Sequence, residues 1–167
     1  YTVDMSLPGM LYGKILRSPH AHARIVSVDV SKARTLPGVK SVVTIDDVPR
    51  NPFTSAGHPP PDCTPDDQFI IDHKVRYVGD KVAAVAAVSN EVALEALDLI
   101  KVEYEMLAPY FDPRNSLAED AIDIHEDLEN GKNTAGYIRM EEGDIEKGFA
   151  EADYVVETMC EVPGQAH

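Results

Sequence analysis

The stretch KVAAVAAVSNEVALEALDLIKVEYE, residues 81–105, constrains the fold of this chain most. Residues 81–88 are an almost continuous apolar run, which predicts a strand covered on both faces. Ser89 follows where its hydroxyl can cap a helix, and the next residues carry apolar side chains at three- and four-residue spacing. Residues 100–105 then alternate apolar and charged side chains, the period of a half-buried strand. We predict a strand, a helix and a second strand in immediate succession.

The N-terminal part predicts a similar order of elements. Residues 10–17 have a strand pattern, and residues 26–30 alternate strictly between valine and polar side chains. Ser31 can cap a short helix, which Pro37 and the following glycine end. Residues 39–45 predict a further strand. We therefore predict a mixed α+β domain with at least two β-α-β segments.

Two long loops interrupt this pattern. Residues 46–74 contain many prolines, which remove backbone donors and disfavour a ladder. Residues 106–143 are irregular, with an acidic centre. Between the loops, Gly79 and Asp80 have the composition of a two-residue hairpin turn. Beyond the loops, Asp144 can cap a short helix, and a last strand follows over 153–162.

Composition excludes several classes of partner. The 167 residues carry 29 acidic and 15 basic side chains, for a net charge of -14, and such a surface repels a phosphate backbone. No apolar run reaches the length of a membrane span, and no signal peptide begins the chain. We expect neither a nucleic-acid nor a membrane partner. The two cysteines form no CxxC pair, which favours a reducing cytoplasm. The abrupt ends suggest a fragment.

His20 and His22 are the first candidates for chemistry. Two histidines two residues apart in an extended segment lie on one face and could share a zinc or copper ion. Such an ion needs further ligands, and the other four histidines stand in no recognisable spacing: His58, His73, His125 and His167. We favour structural histidines that hydrogen-bond to the backbone.

The remaining candidates have equally plain explanations. Gly79 and Asp80 lack the motifs of a phosphate-binding loop, so a hairpin turn is favoured. The acidic residues 119–129 lack the arrangement of a calcium loop and predict a solvated face. Nearby acids make Cys63 a poor nucleophile, and Cys160, within a strand pattern, is expected in the core. We assign no catalytic, cofactor-binding or metal-ligating residue.

Three ordered blocks resemble the molybdenum-binding subunit of the xanthine dehydrogenase and aldehyde oxidase family. Residues 9–49 contain S-P-x-A-H-A, a strand, a D-x-S-x-A helix and P-G-V. Residues 75–109 are similar to the block with V-x-x-x-G-[DE]-x-V-A, and residues 143–157 to the block G-D-[VI]-x-x-[GA]-F. The resemblance covers the chain except for the two loops. His22 belongs to the A-H-A element, a scaffold signature.

The resemblance implies a mixed-sheet α/β hammerhead domain built from β-β-α-β segments. It would span residues 1–162, with long loops at 46–74 and 106–143, and residues 163–167 would start a missing molybdopterin-binding domain. The parent would be an oxidoreductase, a molybdenum hydroxylase that hydroxylates an aromatic heterocycle or aldehyde with oxygen from water. Molybdenum–molybdopterin would act in the parent, with iron–sulfur clusters and FAD in the parent or its partner subunits.

The fragment itself would then be a non-catalytic scaffold. Its partners would be the downstream molybdopterin-binding domain, the iron–sulfur and FAD subunits or domains, and the small-molecule substrate of the parent. Two alternatives stay open: a stand-alone interaction module with the same fold, and a small metal-binding protein that uses His20 and His22. Residues 51–71 follow no family pattern and could face a partner chain or the substrate funnel.

Overall fold

The computed structural model describes Tyr1 and residues 4–55, 66–126, 133–134 and 139–164. The chain divides into two compact units, Tyr1–Gly136 and Tyr137–His167. None of the described helices combines the length and the apolar content needed to cross a bilayer.

The first unit contains six strands and two α-helices in its described part. In chain order these are β1 Tyr12–Arg17, β2 Ala23–Asp29, α1 Ser31–Thr35, β3 Val39–Val43, β4 Lys74–Val75, β5 Lys81–Ala87, α2 Asn90–Asp98 and β6 Lys101–Met106. Short 3-10 helices occupy Ile45–Asp47 and Pro113–Leu117. The strands and helices predicted over residues 10–45 and 81–105 are therefore confirmed.

The described strands form two three-stranded antiparallel sheets. One has the order β1-β5-β3, and the other has the order β4-β2-β6. The helix α1 follows β2 and precedes β3, and α2 lies between β5 and β6, so each β-α-β segment crosses from one sheet to the other. Because its two strands never become neighbours, no parallel pair arises among the described strands. The α+β class is confirmed, but the predicted mixed sheet is wrong for this part of the chain.

β5 is buried on both faces, as its apolar run predicted. Ala83 and Val85 lie in one core cluster, and Val82 lies in a second. The first cluster comprises Val30, Ala33, Val42, Ala83, Val85, Ala96 and Ile100. The second comprises Ala23, Ile25, Val75 and Val82. Burying one such valine contributes about 1.5–3 kcal/mol, so β5 joins the two cores energetically as well as in space.

The predicted hairpin at Gly79 is wrong. β4 pairs with β2, whereas β5 pairs with β1 and β3, so the strands on either side of the turn lie in different sheets. A turn is present, because the Asp80 N–H donates to the Tyr77 carbonyl at 3.2 Å and Gly79 has a φ of +97°. The local signal identified the turn correctly but could not identify the sheets that it connects.

The predicted helix caps are confirmed at two of three positions. Ser89 accepts from the Val92 N–H at 3.3 Å, and Asp144 accepts from the Lys147 N–H at 3.0 Å. Ser31 does not cap α1: its own N–H donates to the Asp29 carboxylate at 2.9 Å. The capping oxygen therefore comes from an aspartate two residues earlier, which is also a preferred residue type at helix starts.

The two long loops are largely irregular in their described parts. The Phe53 and Gln68 backbones form an isolated antiparallel bridge, so the prediction that no pairing forms within 46–74 is wrong at this point. No proline stands at either bridge position, so both donors are available. Cys63, His58 and much of 51–71 lie outside the described residues, and the proposed role of that loop stays a prediction.

The second unit contains the helix α3, Ile145–Glu151. The strand predicted over 153–162 is absent from this described stretch, and Cys160, predicted in the core, is exposed. A strand is stable only as part of a sheet, and no described residue pairs with this segment.

Candidate functional site

Two connections between the sheets meet and form a junction, which we define as residues 17–22 and 76–80. The Ser18 N–H donates to the Asp80 carbonyl at 2.8 Å, and the Gly79 N–H donates to the Ser18 carbonyl at 2.8 Å. The Arg17 guanidinium donates to the Gly79 carbonyl at 2.8 Å. The connection from β1 to β2 and the connection from β4 to β5 are therefore one hydrogen-bonded structure.

Ser18 and His20 organise the first half of this junction. Ser18 is buried, and its hydroxyl donates to the His20 carbonyl at 3.1 Å and accepts from the His20 N–H at 3.0 Å. The His20 ring lies edge-on to Tyr104 of β6, with ring centroids 4.7 Å apart. Both side chains thus hold the start of β2 against β6.

His22 fixes the end of β6. Its side chain is 1% exposed, and its Nδ1 lies 2.7 Å from the Ala108 carbonyl oxygen. The Leu107 N–H donates to the His22 carbonyl at 3.0 Å. A carbonyl oxygen only accepts, so we place the proton on Nδ1, which leaves Nε2 unprotonated. Within the described part of the chain, Nε2 is buried without a hydrogen-bond donor.

This environment keeps the His22 ring neutral. Burial lowers its pKa, the hydrogen bond to Ala108 opposes that effect, and the cations Lys74 and Arg76 lower it further. The favoured interpretation of His22 as a structural histidine bonded to the backbone is confirmed. The metal alternative gains no support, since the described residues contain no group of three or more potential metal ligands.

Two cations at β4 bind the acidic loop. Lys74 is 5% exposed, and its Nζ donates to the Asp123 carbonyl at 2.8 Å and to Glu126 at 3.1 Å. Arg76 donates through Nε to the Ile124 carbonyl at 3.0 Å. Residues 123–126 are thus held by protein cations acting mainly on main-chain oxygens.

Asp72 completes this charged cluster. It is 7% exposed and accepts from Arg50 Nε at 3.1 Å, from Arg76 at 2.9 Å and from the His73 N–H at 2.9 Å. Burial alone would raise the pKa of Asp72, but these hydrogen bonds outweigh burial and hold the pKa below its ordinary value. The carboxylate therefore stays ionised between two arginines.

A polar cleft of about 410 Å³ lies beside the cluster. Asp67, Asp80, Lys81 and His125 are among its lining residues. Asp67 Oδ1 is buried and accepts no hydrogen bond from the described residues. Burial and the Arg76 cation lower the pKa of His125, an effect that Asp67 opposes. The cleft thus offers a neutral imidazole and carboxylate acceptors.

The cleft does not suit molybdopterin. That cofactor carries a phosphate, which a buried and unpaired carboxylate oxygen repels. The nearby cations are already engaged, since Arg76 binds Asp72 and Lys81 donates to the Phe69 carbonyl at 2.9 Å. We assign none of these residues to the cofactor and derive no chemical step through it.

The sequence analysis missed the cluster of Asp72, Lys74 and Arg76. One signal was available: HKVR places Lys74 and Arg76 on the same face of an extended segment. Two cations on one face, in a strongly acidic chain, predict an acidic partner segment. The loop around residues 119–126 was the obvious candidate.

Comparison with known proteins follows the same boundaries only in part. Residues 1–108 match the family model described as aldehyde oxidase and xanthine dehydrogenase, a/b hammerhead domain. This match contains the junction and both sheets, and it ends at Ala108, the residue whose carbonyl lies against the His22 ring.

Curated relatives match the whole chain. A protein of Bacillus subtilis (strain 168), named as one of the probable subunits of a xanthine dehydrogenase, is 44% identical over 168 residues, which are 100% of this chain and 21% of the relative. The xanthine dehydrogenase molybdenum-binding subunit of Escherichia coli O157:H7 is 37% identical over 100% of this chain and 22% of its own length. The chain thus spans about a fifth of these relatives.

A solved structure has the same fold. The reconstituted CO dehydrogenase from Oligotropha carboxidovorans aligns with a TM-score of 0.67 and 39% identity. The alignment covers 77% of this chain and 16% of that one.

Proposed function

Because this chain belongs to the aldehyde oxidase and xanthine dehydrogenase family, as its a/b hammerhead domain, we propose that it is a non-catalytic scaffold of a molybdenum hydroxylase. One observation carries the proposal: a relative 44% identical matches 100% of this chain with only 21% of its own length. Most of such a protein lies outside this chain, and the catalytic residues are expected there.

The internal contacts support a scaffold role. The charged side chains beside the cleft bind other parts of the same unit: Asp72 binds Arg50 and Arg76, and Lys74 binds residues 123–126. The junction joins two sheets through main-chain hydrogen bonds. Interactions of this kind stabilise a rigid shape, on which neighbouring domains can be held.

The chemistry proposed for the parent is hydroxylation of an aromatic heterocycle or an aldehyde, with oxygen taken from water. When bound, molybdenum–molybdopterin would supply the oxygen transfer and accept the electrons. Relatives named as molybdenum-binding subunits support the metal. Iron–sulfur clusters and FAD, in the parent or in partner subunits, would carry the electrons onward. The cytoplasmic location stays a prediction from cysteine usage.

The test uses the longer protein encoded by the gene. It should bind close to one molybdenum per chain, measured by elemental mass spectrometry, and should transfer ¹⁸O from labelled water to an aldehyde or a purine. The chain 1–167 alone should bind no molybdenum. A stop codon shortly after residue 167, or a longer protein free of molybdenum when expressed with a cofactor supply, would contradict the proposal and favour a stand-alone interaction module.

The scaffold role has its own control within that protein. His22→Gln should lower the melting temperature while leaving kcat per bound molybdenum unchanged, because the ring binds backbone and not substrate. A kcat that falls several-fold at full molybdenum occupancy would instead give His22 a role in catalysis.

A further inference from the structure

Residues 139–164 expose apolar side chains that a folded protein normally covers. None of these described residues is buried. Tyr154, Val156, Met159 and Val162 are 91%, 85%, 90% and 85% exposed. Scattered apolar residues on a surface are ordinary, but a continuous apolar segment marks an interaction site.

The helix α3 and the residues after it form one apolar surface. Ile145 and Phe149 are four residues apart and share a face of the helix. They line a cavity of about 370 Å³ together with Ala152, Tyr154 and residues 155–156. We call this surface the α3 groove.

The segment after α3 has the pattern of a strand without a partner. One face would carry Tyr154, Val156, Thr158, Cys160 and Val162, and the opposite face is rich in acids: Asp153, Val155, Glu157, Met159 and Glu161. Within the described residues, the segment takes part in no ladder. Its N–H and C=O groups are therefore available to an added strand, which is how sheets extend across chains and segments.

The comparisons indicate which strand covers it. The hammerhead model ends at residue 108, yet a 44% identical relative matches all of this chain. That relative is about five times as long as the chain, because the chain is 21% of its length. Residues 139–164 thus belong to the shared protein but not to the hammerhead match, and about four-fifths of the relative lies elsewhere.

We propose that residues 144–162 are the first helix and strand of the following domain, and that a strand from the parent chain beyond residue 167 pairs with residues 153–162. This rests on the proposed function, since it requires the longer protein. It moves the domain boundary from the predicted position at residues 162–163 to near Tyr137, where the second compact unit begins.

Cys160 provides a direct probe of this pairing, because it is exposed in the present chain and lies on the apolar face. Its alkylation rate by iodoacetamide is followed by peptide mass spectrometry in the native longer protein and in the chain 1–167. We expect a rate lower by on the order of 100-fold in the longer protein, which corresponds to covering by a stable sheet. Equal rates in the two proteins would overturn the proposal.

A matched variant tests the face assignment. Met159→Cys in a Cys160→Ser background places the thiol on the acidic face, one residue away. In the longer protein this thiol should react at least about tenfold faster than Cys160, since the acidic face stays in water. Equal protection of both thiols would contradict a half-buried strand.

A second copy of the chain is the competing occupant. If two copies covered each other, alkylation of Cys160 in the chain 1–167 would slow as its concentration rises, and light scattering would show a dimer. Either result would overturn the proposal in favour of self-association. A rate independent of concentration, with a monomer mass, supports it.

The molybdenum content of the same preparation separates this inference from the proposed function. Protection of Cys160 in a longer protein that binds no molybdenum would support the pairing and overturn the function. A reactive Cys160 in a protein with full molybdenum would overturn the pairing alone.

Discussion

β6 and residues 153–162 have the same alternation of apolar and polar side chains, but only β6 is a strand. β6 pairs with β2 in register, with Val28 opposite Val102. Residues 153–162 pair with no described residue and are exposed throughout. The difference shows that alternation makes a segment able to join a sheet, whereas the available neighbour decides whether it does.

The largest contrast between the two regions should come from burying a charge. Val85 is 2% exposed in β5, so Val85→Asp places a carboxylate in the core, and we expect a loss of about 4 kcal/mol or more, enough to abolish cooperative unfolding. Val156 is 85% exposed, so Val156→Asp in the chain 1–167 should change the free energy of unfolding by less than about 0.5 kcal/mol.

Urea unfolding followed by circular dichroism measures both variants. A similar loss from the two substitutions would mean that Val156 is part of the same core, and the distinction between the regions would fail.

Three glycines sharpen the account of the first unit. Gly38 has a φ of +96°, and an added Cβ would meet Val88 at 3.0 Å. Gly79 has a φ of +97° and open space, and Gly13 has open space without a positive φ. Replacement by alanine should therefore cost most at Gly38, about 1–2 kcal/mol at Gly79, where only backbone strain acts, and little at Gly13.

The order of the three melting temperatures is the test, and Gly13→Ala is the matched control. If Gly79→Ala were as harmless as Gly13→Ala, the junction would not depend on a left-handed residue.

A smaller effect is the dependence of stability on pH, which should arise from the first unit. Burial lowers the pKa of His22 in the folded chain, so the unfolded chain, with a histidine pKa of about 6.5, binds the proton more readily. The stability provided by the neutral ring is present above about pH 6.5 and is lost as pH falls through the folded-state pKa. The slope is at most about 1.4 kcal/mol per pH unit for one group.

Urea midpoints between pH 7.5 and 5.5 measure this slope. The cations Lys74 and Arg76 and the acid Glu126 also act on His22, so the comparison keeps them all in place. His22→Gln should flatten the slope, and His20→Gln controls for loss of a neighbouring imidazole. An unchanged slope in His22→Gln would contradict the assignment.

The smallest effects should come from exposed ion pairs in both regions. Arg24 and Glu105 join β2 to β6 at 2.7 Å, with side chains 51% and 54% exposed. Lys147 and Glu151 lie 3.8 Å apart on α3, also exposed. Removing either pair should cost less than about 1 kcal/mol and depend on salt. A salt-independent loss above about 2 kcal/mol from Arg24→Ala would show that β6 depends on this pair rather than on packing.

The elements were predictable because their signals are local. The alternation in β2, the continuous apolar run of β5 and the Ser89 cap each depend on a few neighbouring residues. Sheet membership was not predictable, because the turn at Gly79 has the same composition whether it joins two strands of one sheet or crosses between two.

The charged cluster depends on partners distant in sequence. Arg50 lies 22 residues from Asp72, and Lys74 lies 49 residues from Asp123. Nothing near Asp72 identifies Arg50 as its partner, and both lie in or beside a proline-rich segment that predicted only a loop. The role of His22 was easier to predict, because a histidine at the start of a strand finds main-chain carbonyls nearby.

Hydrogen exchange within the chain 1–167 tests the central claim most directly. Amides of β6 and of residues 153–162 are compared in the same molecule, so solvent and temperature are identical. We predict that the β6 amides hydrogen-bonded to β2 exchange at least about 100-fold more slowly than an unstructured chain, and that residues 154–162 exchange within about tenfold of that unstructured rate. Comparable protection of the two segments would show that residues 153–162 already have a partner within this chain, and the account of a scaffold with an unpaired second unit would be wrong.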